Sequence, residues 1–191
     1  MHKGRLEAFS DGVIAIISTI MVLELKVPHG TDLADLRPLL PVFLCYGLSF
    51  LYVGIYWNNH HHLFQAVKHV KGGVLWANLH LLFWLSLFPF VTGWMGENHF
   101  APVTVALYGG VLLLAGLAYT ILVRTLIACH GQDSVLAQSI GSDVKGWISL
   151  ALYALGIPLA CWFPWLSVAL YACVALTWLV PDRRIEQNLV D

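Results

Sequence analysis

The sequence predicts an all-α integral membrane protein with six transmembrane helices, and three observations carry that prediction. The chain of 191 residues is 59% hydrophobic and only 11% charged, whereas a soluble domain carries about 25% charge. Its apolar residues gather into six runs, most of them near the ~20 residues needed to cross a hydrocarbon core. Its Lys and Arg residues fall mainly on one side of those runs, an asymmetry that orients membrane helices. No stretch is left over for a soluble domain, and no internal repeat is visible.

The first run, Leu6 to Val27, opens with Arg5 and reaches Phe9-Ser10-Asp11 before turning apolar. A helix advances about 100° per residue. Gly12, Ile16, Ile20 and Leu23 therefore share one face, which Arg5 and Phe9 continue toward the N-terminus. Ser10 and Asp11 point elsewhere, Asp11 roughly 120° from the stripe. A carboxylate in a bilayer is costly unless it faces protein or water, so Asp11 needs such a setting. The aliphatic stripe does not, because lipid, core and a dry pore all accept it.

Pro28-His29-Gly30-Thr31-Asp32 breaks the first helix, and Pro38 and Pro41 mark the start of the second run, Leu39 to Asn59. The third, Val74 to Met95, follows the turn Lys71-Gly72-Gly73 and contains Asn78 and His80. An unpaired polar group there costs several kcal/mol, so both are expected to face the bundle interior, with Asp11 as a partner. The fourth run, Val103 to Ile127, holds Gly109-Gly110 and Gly116, which suit close helix packing. The polar stretch His130 to Asp143 follows it. The fifth and sixth runs, Trp147 to Phe163 and Trp165 to Val180, are short and separated only by a turn at Pro164. They form either a helical hairpin across the membrane or one kinked re-entrant element. The hairpin is preferred, because Pro164 fits a helix start and the flanking Trp residues fit an interfacial belt.

On one side of these runs lie Lys3, Arg5, Lys68, Lys71, Arg124, Lys145, Arg183 and Arg184; on the other lie only Lys26 and Arg37, among Glu24, Asp32, Asp35 and Glu97. Both termini are expected in the cytoplasm, which agrees with an even number of spans. The first run is not expected to be a cleaved signal, since it carries Asp11 and Glu24 and no small-residue cleavage site. A net charge of −1 leaves no polybasic tail for nucleic acid or anionic lipid. Cys45, Cys129, Cys161 and Cys173 include no C-x-x-C pair, which argues against a disulfide framework or a zinc site.

Few groups could carry chemistry. His60-His61-His62 invites a metal reading, but consecutive helical residues diverge by about 100° and cannot all ligate one ion. Polar packing at the interface is the expectation, with no metal. Asn78 and His80, with Asp11, serve either as a structural pairing or as a proton relay. No nucleophile–base set, phosphate-binding glycine loop or Thr-Val-Gly-Tyr-Gly filter is present, and the last absence excludes a carbonyl-lined potassium filter of the usual kind.

The segment Arg5-x-x-x-Phe9-Ser10-Asp11 heading the first span resembles the signature of the transmembrane protein 175 family, the endosomal and lysosomal potassium channels and their prokaryotic relatives. Trp57-x-x-His60-His61-x-Leu63-Phe64, Trp76-x-Asn78-Leu79 and Leu87-Phe88-Pro89-Phe90 are similar to that family too. The resemblance implies a single six-helix transmembrane channel domain over residues 1–191, four copies of which surround a central pore lined by the first helix. It implies a hydrophobic constriction at Ile16, with Ile20 and Leu23 further along the pore and Thr19 as a polar neighbour. It implies that His60, His61, Asn78 and His80 form a supporting polar network. The implied activity is passive, potassium-favouring cation conduction in a bacterial plasma membrane, with no cofactor and no enzymatic step. Two other readings stay open: a small proton-coupled transporter or intramembrane enzyme using Asp11, Asn78 and His80, and a structural membrane subunit that needs a partner.

Overall fold

The computed structural model describes residues 3–67, 69–131, 134, 136–137 and 143–179, and these residues form helices and turns with no strand. The α-helices are α1 (Gly4–Leu23), α2 (Leu40–Gln65), α3 (Gly72–Ser86), α4 (Phe88–Glu97), α5 (Pro102–His130), α6 (Val144–Leu159) and α7 (Pro164–Trp178), with a short 3-10 helix at Leu33–Leu39 ahead of α2. The α3–α4 pair occupies the place of one span, so six helical elements result, in an all-α membrane fold. Four of them are long and apolar enough to cross a membrane: Gly4–Leu23, Leu33–Gln65, Gly72–Glu97 and Pro102–His130. The last two have 16 and 15 residues. At 1.5 Å per residue they reach only about 22–24 Å, short of a ~30 Å hydrocarbon core.

Two boundaries depart from the sequence reading for local reasons. The second helix does not stop at Asn59; it runs to Gln65 and carries all three consecutive histidines. The third span breaks at Leu87. Pro89 has no N–H for the Leu85 carbonyl, so the ladder is interrupted one turn before it. The break lets α3 pack on α1 and α5 while α4 packs on α2. The last two runs form the antiparallel hairpin that the sequence favours, with Pro164 in the first turn of α7. Ser167 Oγ donates to the Gly156 carbonyl at 2.8 Å, and Trp178 Nε1 donates to Ser149 Oγ at 2.9 Å.

Glycines set the closest approaches. A Cβ on Gly96 would lie 2.8 Å from the Val42 Cα, so α4 and α2 meet backbone to backbone. Gly109 and Gly156 receive the ring and hydroxyl of Tyr171, and Gly116 faces Leu150. Gly110 meets nothing, so only its neighbour Gly109 serves the packing expected of that pair.

Each end of the bundle is fastened by polar or aromatic contacts. At one end Lys3 Nζ donates to the Phe64 carbonyl at 2.7 Å, a cation on the C-terminal carbonyls of α2. At that end the His69 and His130 rings meet at 4.7 Å, and the Arg124 guanidinium lies 5.5 Å from the Trp147 ring. At the other end Lys26 pairs with Glu97 at 2.6 Å and the Phe100 ring meets Trp165 at 4.4 Å. Lys68, Arg183 and Arg184, which enter the expected orientation, lie outside the described residues, as does Val180.

Candidate functional site

The first helix has two apolar faces with different fates. Leu6, Ser10, Ile14, Ile17 and Met21 recur every three or four residues and are buried. They pack toward α2, α3 and α4. The face bearing Arg5, Phe9, Gly12, Ile16, Ile20 and Leu23 is not covered by any of the described residues. Ile16 is 60% exposed, Ile20 41% and Leu23 76%. Beside this stripe Thr19 is also exposed, and its hydroxyl donates to the Ala15 carbonyl at 2.9 Å. That bond leaves the oxygen lone pairs turned away from the helix backbone.

Behind the stripe lies a dry polar chain. Asn78 Nδ2 donates to Ser10 Oγ at 2.9 Å, and Ser10 Oγ donates onward to the Leu6 carbonyl at 2.9 Å. The Asn78 oxygen lies 2.8 Å from His60 Nε2. An amide oxygen only accepts, so His60 Nε2 carries the hydrogen. Ser10 and Asn78 are fully buried and His60 is nearly so, with its ring 4.6 Å from Phe64. The chain thus joins α1, α2 and α3 through one side chain each.

Asp11, one residue from Ser10, sits in a different setting. It is exposed, and its Oδ1 accepts from Trp57 Nε1 at 3.1 Å. Trp57 stacks on His61 with ring centroids 6.1 Å apart. His61 Nε2 accepts from the Gln65 amide at 2.8 Å, which makes it the unprotonated ring nitrogen.

Two expectations are corrected by this geometry. Asp11 is not the partner of Asn78: the two helices do meet, but through Ser10, because residues 10 and 11 diverge by about 100°. His80 does not face the interior or join the network. It is exposed, and its Nε2 accepts from Trp84 Nε1 at 2.9 Å. His80 lies two positions from Asn78, about 200° round α3, and the bond one turn along its own helix satisfies it there. The His80-x-x-x-Trp84 spacing was the available signal. Trp57 is the residue the network reading left without a role, although its indole N–H is a donor in search of an acceptor. Among the described residues, no three His, Cys, Asp or Glu side chains assemble as a metal site.

The family described as endosomal/lysosomal potassium channel TMEM175 matches residues 5–89, the stretch that supplies both the stripe and the polar chain. A potassium channel of Chryseobacterium sp. (strain P1-3) is 59% identical over 189 residues, covering 99% of this chain and 98% of that one. The chain belongs to the TMEM175 family. The crystal structure of a lysosomal potassium-selective channel TMEM175 homolog from Chamaesiphon minutus superposes with a TM-score of 0.80 at 28% identity, covering 94% of this chain and 97% of the other. The endosomal/lysosomal proton channel TMEM175 of Homo sapiens is 40% identical over 80 residues, which is 36% of this chain and 16% of that protein. Similarity to the longer animal TMEM175 protein is thus confined to one segment, whereas similarity to the two bacterial channels is end to end.

Proposed function

We propose that this multi-pass membrane protein is a potassium-favouring cation channel, one channel domain over residues 1–191, whose pore forms on the axis of a homotetramer. The observation that carries the reading is the stripe of Ile16, Ile20 and Leu23 that α1 leaves uncovered. Asp11 is exposed on the same helix, and a carboxylate cannot face lipid cheaply. Water or further copies of the chain therefore belong against the Asp11 flank of α1, beside the stripe. The names and end-to-end similarity of the bacterial relatives support the same activity. In this reading both termini are cytoplasmic, the membrane is the bacterial plasma membrane, and no cofactor or chemical step takes part.

Conduction follows from the side chains. Four Ile16 residues form the narrowest ring, with Ile20 and Leu23 rings beyond it. Branched aliphatic groups offer an ion no ligands. A permeating ion keeps much of its water, or sheds part of it over a short dry zone. Potassium releases water more readily than sodium, so a tight apolar ring favours it without coordinating it. Thr19 oxygens beside the ring offset part of the lost hydration. Such selectivity is weaker than that of a carbonyl filter and depends on ring width. The transporter or intramembrane-enzyme reading gains little support, because Asp11, Asn78 and His80 sit in three separate settings with three different partners.

The test is the reversal potential under bi-ionic potassium and sodium, recorded on purified protein in bilayers alongside a subunit count in nanodiscs. Resolved unitary currents from a tetramer are expected. Ile16→Asn moves the reversal potential toward non-selectivity, and Leu23→Asn moves it less. An unchanged potential in a well-assembled Ile16→Asn channel removes Ile16 as the selective element.

A further inference from the structure

The α6–α7 hairpin packs away from α1: α6 lies on α5 and α7, and α7 on α2 and α5. Its sequence holds no charged residue or histidine from Gly146 to Val180. Ile148, Leu155, Leu166 and Leu176 are exposed along it, an apolar outer face of the kind that lipid chains cover. Two features of this face say which lipid fits it.

The first is its height. With 16 and 15 residues, α6 and α7 reach about 24 and 22 Å, whereas α2 and α5, with 26 and 29 residues, reach about 39 and 44 Å. Aromatic markers repeat the short measure. Tryptophan rings settle at the level of the headgroups. Trp147 and Trp162 bracket α6 about 22 Å apart, and Trp165 and Trp178 bracket α7 about 20 Å apart. Trp147, Trp162 and Trp165 are exposed, and Trp178 is half-buried. Against a ~30 Å hydrocarbon core, both pairs of markers stand about 8–10 Å too close together.

The second is the chemistry where the shortfall lies. At the closed end of the hairpin the Phe100 ring, just ahead of α5, meets Trp165 at 4.4 Å, so the hairpin and α5 begin level. At the open end α5 runs on past Arg124 to His130. There the Arg124 guanidinium lies 5.5 Å from the Trp147 ring centroid, and the Lys145 ammonium lies 4.5 Å from that of Trp178. Each cation is held against a ring that marks the hairpin's edge. Cations set at such a depth draw headgroups and water toward them and thin the layer locally.

We propose that the outer face of the hairpin is a lipid-selective surface, fitted to phospholipids with short acyl chains whose phosphates meet Arg124 and Lys145. A thicker bilayer must thin to cover it, at a cost that grows with each ångström of mismatch. Long chains are therefore depleted from this face. The surface is separate from α1 and the proposed pore, so its test does not depend on conduction.

The experiment places a fluorophore on Cys173, which is exposed on α7, in the full chain carrying Cys129→Ser and Cys161→Ser; Cys45 is buried and stays. Quenching by brominated phosphatidylcholine is measured in competition with unbrominated monounsaturated phosphatidylcholines of about 14 to about 22 carbons per chain. Quenching is expected, with chains of about 14–16 carbons binding about threefold tighter than chains of about 20–22. Arg124→Gln combined with Trp147→Leu removes the markers of the open end and moves the optimum toward longer chains, by about two carbons or more. Absence of quenching overturns the proposal, because the face is then not against lipid. Equal binding at all lengths, or an optimum at about 18 carbons or longer, overturns it as well. So does an optimum that stays in place in the well-assembled double variant. If that variant fails to assemble, as judged by elution volume, an unmoved optimum in well-assembled Lys145→Gln overturns it instead.

Discussion

Ser10 and Asp11 are adjacent on one helix and live in opposite surroundings. Ser10 is fully buried and forms the middle of a chain from Leu6 through Asn78 to His60. Asp11 is exposed and makes one bond, to an indole N–H that is itself at the surface. The ionisable residue of the pair thus carries less of the single chain's structure than the neutral one. Charge draws the eye in an apolar helix, but the cost of losing a group depends on what its partners are left with.

The largest expected effect breaks the buried side of this contrast. Asn78→Leu removes two hydrogen bonds and leaves His60 Nε2–H without an acceptor. Side-chain hydrogen bonds between membrane helices average ~0.6 and reach ~1.7 kcal/mol, and a stranded buried donor costs ~1–3. A loss of about 2–3 kcal/mol in the stability of the disc-embedded protein is expected, read as the shift in its denaturation midpoint.

Asp11→Ala sharpens the contrast. In the single chain it removes one exposed bond, so about 1 kcal/mol or less is expected. The comparison with Asn78→Leu is informative in either order. If Asp11→Ala proves the more damaging, and only in the assembled protein, the carboxylate is buried by neighbouring copies, where stripping a partner from a charge costs ~3–5 kcal/mol. Titrating stability against detergent-induced dissociation separates the two cases.

The smallest effect lies at the far end of α1. The hydrogen bond and charge of Glu97, with Glu24 nearby, hold the Lys26 ammonium above the ordinary lysine value of 10.5. Because the folded value is raised, this contribution is fully present below pH 10.5 and is lost as pH climbs through the raised value. The pair is well exposed, so solvent screens it and the contribution is minor. Glu97→Gln is expected to leave the denaturation midpoint nearly unchanged at neutral pH and to flatten its decline at alkaline pH.

How much of this could be read from the sequence varies with the range of the interaction. The shared face of Ile16, Ile20 and Leu23 follows from helix periodicity alone, which is local. The start of α7 at Pro164 is equally local. The break at Leu87 was within reach, since Pro89 sits two residues on, but an apolar run hides it: Val74 to Met95 reads as one span by hydropathy. The pairing of Asn78 was out of reach in detail. It depends on which of two adjacent polar residues on α1 turns toward α3, and that is decided by packing across 68 positions of sequence. His80 departs from the expectation because a polar group in a span needs no neighbouring helix when an indole lies one turn away.

The Asn78–Ser10 bond also acts as a key in a keyway. A helix with apolar residues all round can turn about its own axis at little cost, since Ile against lipid differs little from Val against lipid. Turning α1 by one residue step would swing the azimuth of every side chain by about 100°. Ile16 would leave the uncovered face, and Ser10 would be pulled from Asn78. This buried contact, with the exposed Asp11–Trp57 bond beside it, therefore indexes the rotation of the whole shaft. Lys3 on the Phe64 carbonyl at one end and Lys26 on Glu97 at the other limit its sliding. Which residues α1 shows to the outside is thus set largely by a hydroxyl on its hidden side.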